Sequence, residues 1–391
     1  LTNERVAIAP LRGERPEGSE RTRVLFALAG LGRVNRGAEV AFENIAREVA
    51  ARPGFEVTLI GSGDGSRAGE KVRFVSAPCA ARERFEKWPT FPPMRSDLVY
   101  EEFAFVRAMG RRYDPREYDA TITCAYPFTN WMLRRKKRGG RRPAHIFVTQ
   151  NGDYCCHARR REFRYFGCDG LVCTNPEYFE RNRERWASVL IPNGVDPERF
   201  SPGAGARARF ELPQDRPVVL MVSALIESKR VLEGIEAMAL VPGAHLIVAG
   251  DGPLRERVDR MGAEKLPGRF SRVSVDRALM PELYRNADVF LHMSLDEPSS
   301  NAYIEALSTG LPIVTHDRSV TRWTFEETAT LVDARNLGEV ALGVRNAMDR
   351  RSAGDVRARR DLVARRFTWN TIGAQYGTFI RETIARRERA T

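Results

Sequence analysis

The sequence predicts an α/β protein made of two doubly wound domains of parallel sheet. Three observations carry this reading. Strand-length apolar runs alternate with helix-period runs, the alternation starts twice, and a proline-marked stretch separates the two series. The length agrees, since 391 residues at about 100–200 per domain make two domains or three. The expected divisions are a first domain over 1–200, a linker over 201–217, a second domain over 218–368 and a terminal helix over 369–391.

The elements follow in order. Residues 24–29 (VLFALA) read as a strand, residues 30–37 (GLGRVNRG) as a glycine-bearing loop, and then a helix begins. Phe42, Ile45, Ala46 and Val49 recur at i, i+3, i+4 and i+7, which lines one helical face. Pro53-Gly54 stops that helix, and residues 55–60 (FEVTLI) form the next strand. Strand, helix, strand within about forty residues is a βαβ unit and implies a parallel sheet. Further strands are expected at 120–124, 145–149 and 170–173. Pro197, Pro202, Pro213 and Pro217, with the GAGA tract at 203–206, mark the linker. The pattern then restarts with a strand at 218–224, a helix near 231–240 and a strand at 245–249. A turn at 250–253 (GDGP) leads into a helix near Leu254, and strands follow at 288–293 and 311–315.

Composition narrows the class of protein. Hydrophobic residues make up 42% and charged residues 29%, which excludes a disordered or fibrous chain. No run of about 18 apolar residues occurs, and the Arg- and Glu-studded start does not resemble a secretory signal. Six cysteines without a C-x-x-C pair support neither a disulfide framework nor a structural zinc, so a reduced, cytoplasmic protein is expected. The net charge is +12. Residues 1–200 carry 35 Lys and Arg against 26 Asp and Glu, so nine of those charges sit in the first half. They are densest in Arg134, Arg135, Lys136, Lys137, Arg138, Arg141 and Arg142, with Arg159–Arg161 close behind. Such a field attracts nucleic acid, anionic lipid or a phosphorylated substrate, or it is a solvated loop in an Arg-rich protein.

Two loops could carry chemistry. In the first, the spacing G-x-G-x-x-x-x-G departs from the dinucleotide fingerprint G-x-G-x-x-G. Gly32 could still bring a ligand to the backbone, with the helix behind it favouring an anion, or the glycines merely form a tight turn. The second loop follows the strand at 288–293 and reads DEPSSNAYIEALSTGLP from Asp296 to Pro312. Ser299 or Ser300 is a good N-cap, and the helix should run to about Thr309 and stop at Gly310. Glu297 then lies beyond the strand's carboxyl end, where open α/β sheets bind ligands, and Glu305 points toward the same crevice. The backbone N–H groups of Ser299, Ser300, Asn301 and Ala302 could hold phosphate or sugar oxygens. The plainer alternative makes both acids partners of the helix dipole.

At these residues the chain resembles the family 4 glycosyltransferases, retaining enzymes of the GT-B fold that use nucleotide-diphosphate sugars. Glu297 and Glu305 match the family's Glu-x7-Glu element, and EALSTGLPIV is similar to its E-A-x-x-x-G-x-P-V-V continuation. IPNGVDPERFSP at 191–202 resembles its interdomain signature, GDGP at 250–253 its G-x-G-P turn, and 281–294 its L-Y-x-x-A-D-V segment. The resemblance implies two Rossmann-like domains facing a cleft, with the terminal helix returning to the first domain. It also implies a donor site in which Glu305 receives the ribose, Glu297 lies near the donor sugar, and the loop at 273–279, Val275 included, cradles the base. Gly252 belongs to the same donor side. Lys229 matches the family's diphosphate-binding lysine. The usual arginine is replaced by Ala224, and Arg230, where the family often has glycine, could supply the missing charge. Where many members have a histidine, this chain offers Gln150, Asn151 and Asp153, which with Asn35 are expected on the sugar or acceptor side. His145, His157, His245, His292 and His316 are read as structural.

The function so implied is metal-independent, retaining transfer of a hexose from a UDP- or GDP-sugar. No D-x-D motif is present, and no cofactor is expected. The acceptor would be a saccharide, lipid-linked or small molecule, and the basic first half suggests peripheral contact with an anionic membrane. A sugar-nucleotide epimerase or phosphorylase on the same fold is the alternative enzyme. A nucleic-acid binder using 134–142 is the alternative of another class, and the absence of interleaved aromatics speaks against it.

Overall fold

The computed structural model describes residues 21–389 apart from 67, 137–141, 158–160 and 299. The chain divides into two compact units. The first holds the described residues up to Cys173, with Arg181–Val189 and the chain from Gly373 onward. The second holds Thr174–Glu180 and Leu190–Ile372.

The first unit is built on a seven-stranded sheet of β1 (Thr22–Ala27), β2 (Phe55–Gly61), β3 (Val72–Ser76), β4 (Ala120–Thr123), β5 (Ala144–Val148), β6 (Gly170–Cys173) and β7 (Ser188–Leu190), in the spatial order 3-2-1-4-5-6-7. Its crossovers carry α1 (Gly37–Ala50), α2 (Asp97–Met109), α3 (Phe128–Leu133), α4 (Tyr154–His157) and α5 (Pro176–Asn182), the last beginning in the second unit. The second unit's sheet contains β8 (Val218–Val222), β9 (His245–Ala249), β10 (Phe270–Val273), β11 (Val289–His292), β12 (Ile313–His316) and β13 (Thr330–Val332), in the order 10-9-8-11-12-13. Around it run α6 (Val231–Ala239), α7 (Arg255–Lys265), α8 (Met280–Arg285), α9 (Asn301–Ser308), α10 (Ser319–Phe325), α11 (Leu337–Met348) and α12 (Ala353–Arg366), and α13 (Trp369–Arg389) closes the chain. All strand pairs with a defined register in the two sheets are parallel.

The second sheet has an apolar layer on each face. Val219 and Met221 pack on one side with Ile235, Met238 and Val344, while Val218 and Leu220 pack on the other with Phe290, Ile304 and Leu307. Burial on both faces explains why the central strands are continuous apolar runs rather than alternating ones. In each sheet the order reverses at the first strand, between β1 and β4 and between β8 and β11. The chain ends leaving those strands are where this architecture accepts ligands.

The divisions differ from the expected ones. The stretch 190–217 belongs to the second unit, not to the first domain and a linker. Phe200 and Leu212 are buried in the second unit's core, and Arg207 donates to the carbonyls of Pro213, Arg216 and Asn286 while pairing with Asp288. Val195 is tied by backbone hydrogen bonds to Phe367 and Trp369. The start of α13 therefore stays with the second unit, and only the part from Gly373 joins the first. There Arg387 pairs with Asp169, and Arg381 donates to the Pro53 carbonyl.

His145 on β5 is fully buried and bonded on both ring nitrogens, at 2.9 Å from Thr121 Oγ1 and 3.1 Å from Asn130 Nδ2. The amide of Asn130 donates to Nε2, so Nδ1 carries the proton. Burial pushes this histidine's pKa down to about 3. An unfolded histidine titrates near 6.5, so the unfolded chain takes up the proton first as the pH falls. The stability contributed by the neutral ring is complete above about pH 6.5 and is lost progressively toward pH 3. Chemical denaturation at pH 7 and pH 5 should show that His145→Asn removes about 2 kcal/mol of the acid-induced loss. An unchanged pH slope would contradict the assignment.

Candidate functional site

The site is assembled from four loops at the carboxyl ends of β8, β9, β10 and β11. After β8 the chain passes through Ser223–Ile226 and a short 3₁₀ turn, Glu227–Lys229, before α6 begins. The turn is closed by Lys229 N–H to the Ile226 carbonyl and Arg230 N–H to the Glu227 carbonyl. Arg230 stands at φ 52° and ψ 40°, a left-handed conformation in which glycine would be unstrained.

The turn after β9 is stitched to the loop after β8. Leu225 N–H donates to the Asp251 carbonyl, and Leu254 N–H donates to the Leu225 carbonyl. A Cβ on Gly250 would lie 1.9 Å from the Ser223 carbonyl oxygen. One on Gly252, at φ 155°, would lie 2.7 Å from that of Leu225. Both glycines are needed because two backbones touch here. The loop after β11 joins the assembly through Ser294, whose hydroxyl donates to the Ser228 carbonyl at 3.2 Å.

Glu297 and Lys229 meet at the point where the strand order reverses. The ammonium of Lys229 donates to Glu297 Oε2, and His292 Nε2 lies 3.5 Å from the same oxygen. Arg230 turns elsewhere, to the Ala334 carbonyl at 3.3 Å and to Glu233 at 3.1 Å. The expected substitute for the missing arginine is thus engaged away from Glu297, and Lys229 is the cation at that carboxylate.

Helix α9 begins at Asn301 with Ser300 as N-cap, Ser300 making no side-chain cap bond, and it ends before Gly310 at φ 76°. Asn301 Oδ1 accepts from Asn193 Nδ2 at 2.9 Å, so the IPNG segment is bound to the start of this helix. Ala302 is buried beneath it. Ser299 lies outside the described residues. Glu305 is buried one turn on, where Tyr284 OH donates to its Oε2 at 3.0 Å and Arg277 lies 3.5 Å from Oε1. Burial raises its pKa, with Arg277 and then Tyr284 opposing the shift. Arg277 comes from the loop at 273–279, so this pair brings that loop, with half-buried Val275, to Glu305.

The first unit's candidates fare differently. Gly32 N–H already donates to Glu43 Oε1 at 3.1 Å, and its loop is arranged around the buried acids Glu39, Glu43 and Glu101, which Arg33 and Arg36 partly offset. The backbone amide of Gly32, where a ligand could have approached, is taken by a carboxylate. Asp153 is also committed. Its oxygens accept from Arg181 at 2.9 and 3.1 Å and from Asn182 at 2.8 Å, so it braces α5 rather than offering a free carboxylate to a sugar. Asn35 is exposed, Gln150 is half-buried, and exposed Asn151 donates to Cys124 Sγ at 3.7 Å. Of the basic run, Arg142 pairs with Asp169 and Arg134 donates to the Tyr165 carbonyl, while 137–141 lie outside the described residues.

Four site residues escaped sequence reasoning: His292, Tyr303, Tyr284 and Arg277. A polar residue ending an otherwise apolar buried strand was the available signal for His292. The other three become significant only through what they touch.

Two parallel sheets of Rossmann order, each wrapped by helices, together with this loop assembly, define the class as GT-B glycosyltransferase. Sequence models agree along most of the chain. "Glycosyltransferase Family 4" matches residues 35–199 and "Glycosyl transferases group 1" matches residues 205–364. The chain belongs to the family 4 glycosyltransferases. Among curated relatives, it is 30% identical over 246 residues to a GDP-mannose-dependent alpha-(1-6)-phosphatidylinositol monomannoside mannosyltransferase of Mycolicibacterium smegmatis, covering 55% of this chain and 63% of that protein. It is 29% identical over 180 residues to the lipopolysaccharide core biosynthesis glycosyltransferase LpsE of Rhizobium meliloti, covering 45% and 51%. The chain thus spans between about half and two thirds of the length of these relatives. Among solved structures, sucrose-phosphate synthase from Thermosynechococcus elongatus shares the fold with a TM-score of 0.75 at 21% identity, covering 93% of this chain and all of that one. Anabaena Alr3699/HepE in complex with UDP and glucose gives 0.67 at 15%, covering 93% and 100%.

Gly252 provides a direct test of the loop assembly. Gly252→Ala should destabilise the second unit by about 1–3 kcal/mol, because the new Cβ strains the backbone and meets the Leu225 carbonyl. Urea denaturation would measure it, and a neutral substitution would show that the two loops are not held together as described.

Proposed function

We propose that this chain transfers a hexose from a nucleotide-diphosphate sugar to an acceptor, with retention at the anomeric carbon and without a metal ion. The observation that carries the reading is the Lys229–Glu297 pair at the reversal of strand order in a family 4 domain. Sugar transfer leaves a nucleoside diphosphate whose negative charge grows as the bond breaks, and a fixed cation at that position lowers the barrier. Lys229 is suited to this task. Among the described residues its ammonium is held by the Glu297 carboxylate alone, a partner it can exchange for phosphate. Glu297 would then take hydroxyls of the donor sugar, Glu305 would receive the ribose, and the loop at 273–279 would hold the base.

The relatives' names support a GDP-sugar and an acceptor in glycolipid or lipopolysaccharide synthesis, and a UDP-sugar is the other donor the reading admits. A surface of the first unit favours a lipid-linked acceptor. Trp88, Phe91, Leu98 and Phe103 are exposed beside a small apolar cluster of Phe85, Met94 and Tyr100, and Arg107 lies over the Phe103 ring. Aromatic and basic side chains together suit an anionic membrane surface. Among the described residues no helix is long and apolar enough to cross a membrane.

A melting panel with UDP, GDP, ADP and dTDP, each with and without EDTA, tests the donor. A nucleotide at a hundred times its Kd stabilises the native state by about 2.7 kcal/mol. One of them should raise the melting midpoint regardless of EDTA, and Lys229→Ala should abolish the rise. Glu305→Ala should weaken it. No rise with any nucleotide would overturn the reading. Transfer to a lipid-linked acceptor in anionic vesicles should fall as salt is raised, while transfer to a soluble acceptor should not. Equal salt responses would remove the membrane from the account.

A further inference from the structure

The two oxygens of Glu297 have different surroundings. Oε2 receives Lys229 and faces His292 Nε2 at 3.5 Å, whereas Oε1 has no partner among the described residues. Behind His292 the contacts continue. Its Nδ1 lies 3.1 Å from the hydroxyl of Tyr303, and that hydroxyl lies 2.7 Å from Thr315 Oγ1. His292 and Thr315 are register partners on β11 and β12, and Tyr303 reaches them from the first turn of α9 with its ring edge-on to the imidazole. His292, Tyr303 and Thr315 are all buried.

The chemistry of these groups allows one consistent arrangement of protons. Burial lowers the pKa of His292 to about 4, with Lys229 adding to the effect and Glu297 opposing it, so the ring is neutral near pH 7 and carries one N–H. A proton on Nδ1 would leave the Nε2 lone pair facing an ionised carboxylate. A proton on Nε2 removes that repulsion, and every other group then falls into place. Nδ1 accepts from Tyr303 OH, and the Tyr303 oxygen accepts from Thr315 OH.

From this geometry we propose that His292 is a positioning residue for Glu297, its Nε2–H anchoring Oε2 in a tautomer set by Tyr303 and Thr315, so that Oε1 stays presented to the donor sugar. The proposal rests on the sugar-transfer reading for its consequence. When Lys229 turns to the diphosphate, Glu297 loses its cation, and His292 is the anchor that remains.

Three substitutions separate the anchor from mere filling of space. His292→Gln keeps an N–H near the place of Nε2, His292→Asn has its amide near the place of Nδ1, and His292→Leu has neither. In the full-length chain kcat should fall roughly tenfold or more in the Leu and Asn variants, as when the partner orienting a functional group is lost. The Gln variant should recover most of it, and all three should keep the wild-type affinity for the nucleoside diphosphate. A wild-type kcat in His292→Leu, equal rates for Gln and Asn, or affinity falling in step with kcat would overturn the proposal. A second measurement uses wild-type protein labelled with ¹⁵N-histidine, with His292 assigned by its absence from the spectrum of the Gln variant. Long-range ¹H–¹⁵N spectra near pH 7 should show a neutral ring protonated at Nε2, and protonation at Nδ1 overturns the proposal whatever the variants do. A chain that transfers no sugar yet shows Nε2–H would overturn the transferase reading and leave the anchor standing.

Discussion

The candidate site depends on one topological constraint, the reversal of strand order at β8. Because β9 lies on one side of β8 and β11 on the other, the loops leaving β8 and β11 diverge to opposite faces and leave a crevice between them. Lys229 comes from one loop and Glu297 from the other, and their ion pair spans the crevice. The loop after β9 could not lie so close without Gly250 and Gly252. The position of the site therefore follows from sheet order, and its chemistry from the few polar groups that reach over the sheet's edge.

Arginine explains much of how the second unit is held around that crevice. Arg359 is almost wholly buried, and its guanidinium donates to the carbonyls of Thr328, Gly310 and Arg350. Arg360 donates to Pro197 and Ser308, while Ser308 donates to Phe200. The end of α9, the IPNG segment and α12 are bound together by these few side chains. Five donors in a planar fork can satisfy several loop carbonyls at once, which lysine cannot do. The high arginine content had suggested an external basic field. A good part of it is internal carpentry, and Arg134 and Arg142 of the basic run are used in the same way.

How much was legible in the sequence divides along physical lines. Of the thirteen strands among the described residues nine could be read, and the four that could not, β3, β7, β10 and β13, are the edge strands of the two sheets. Central strands are largely buried on both faces and appear as mostly apolar runs. The edges are only partly buried, so their sequences alternate or turn polar, as in TRVLFA against VRFVS. Helix α12 was illegible for a related reason, since its sequence is dense in charge and its buried face includes Arg359. In the candidate site, Glu297 and Glu305 could be placed from a strand end and a glycine turn, whereas Lys229 was singled out through the resemblance to the family. His292 and Tyr303 were not, because an isolated histidine on an apolar strand carries no signal of what it faces.

By itself the sequence determined the class of fold, the order of the central strands' connections, the family and the loops that bear the polar groups. Those properties are local or periodic. They depend on apolar runs, glycine positions and short spacings that survive whatever the rest of the chain does. Only the tertiary structure decided how each polar group is used. It gave Lys229 rather than Arg230 to Glu297, committed Asp153 to Arg181 and Asn182, and closed the amide of Gly32 with Glu43. It also drew the stretch 190–217 into the second unit. A side chain's partner is chosen by distance and direction in space, and residues far apart in sequence compete for it on equal terms.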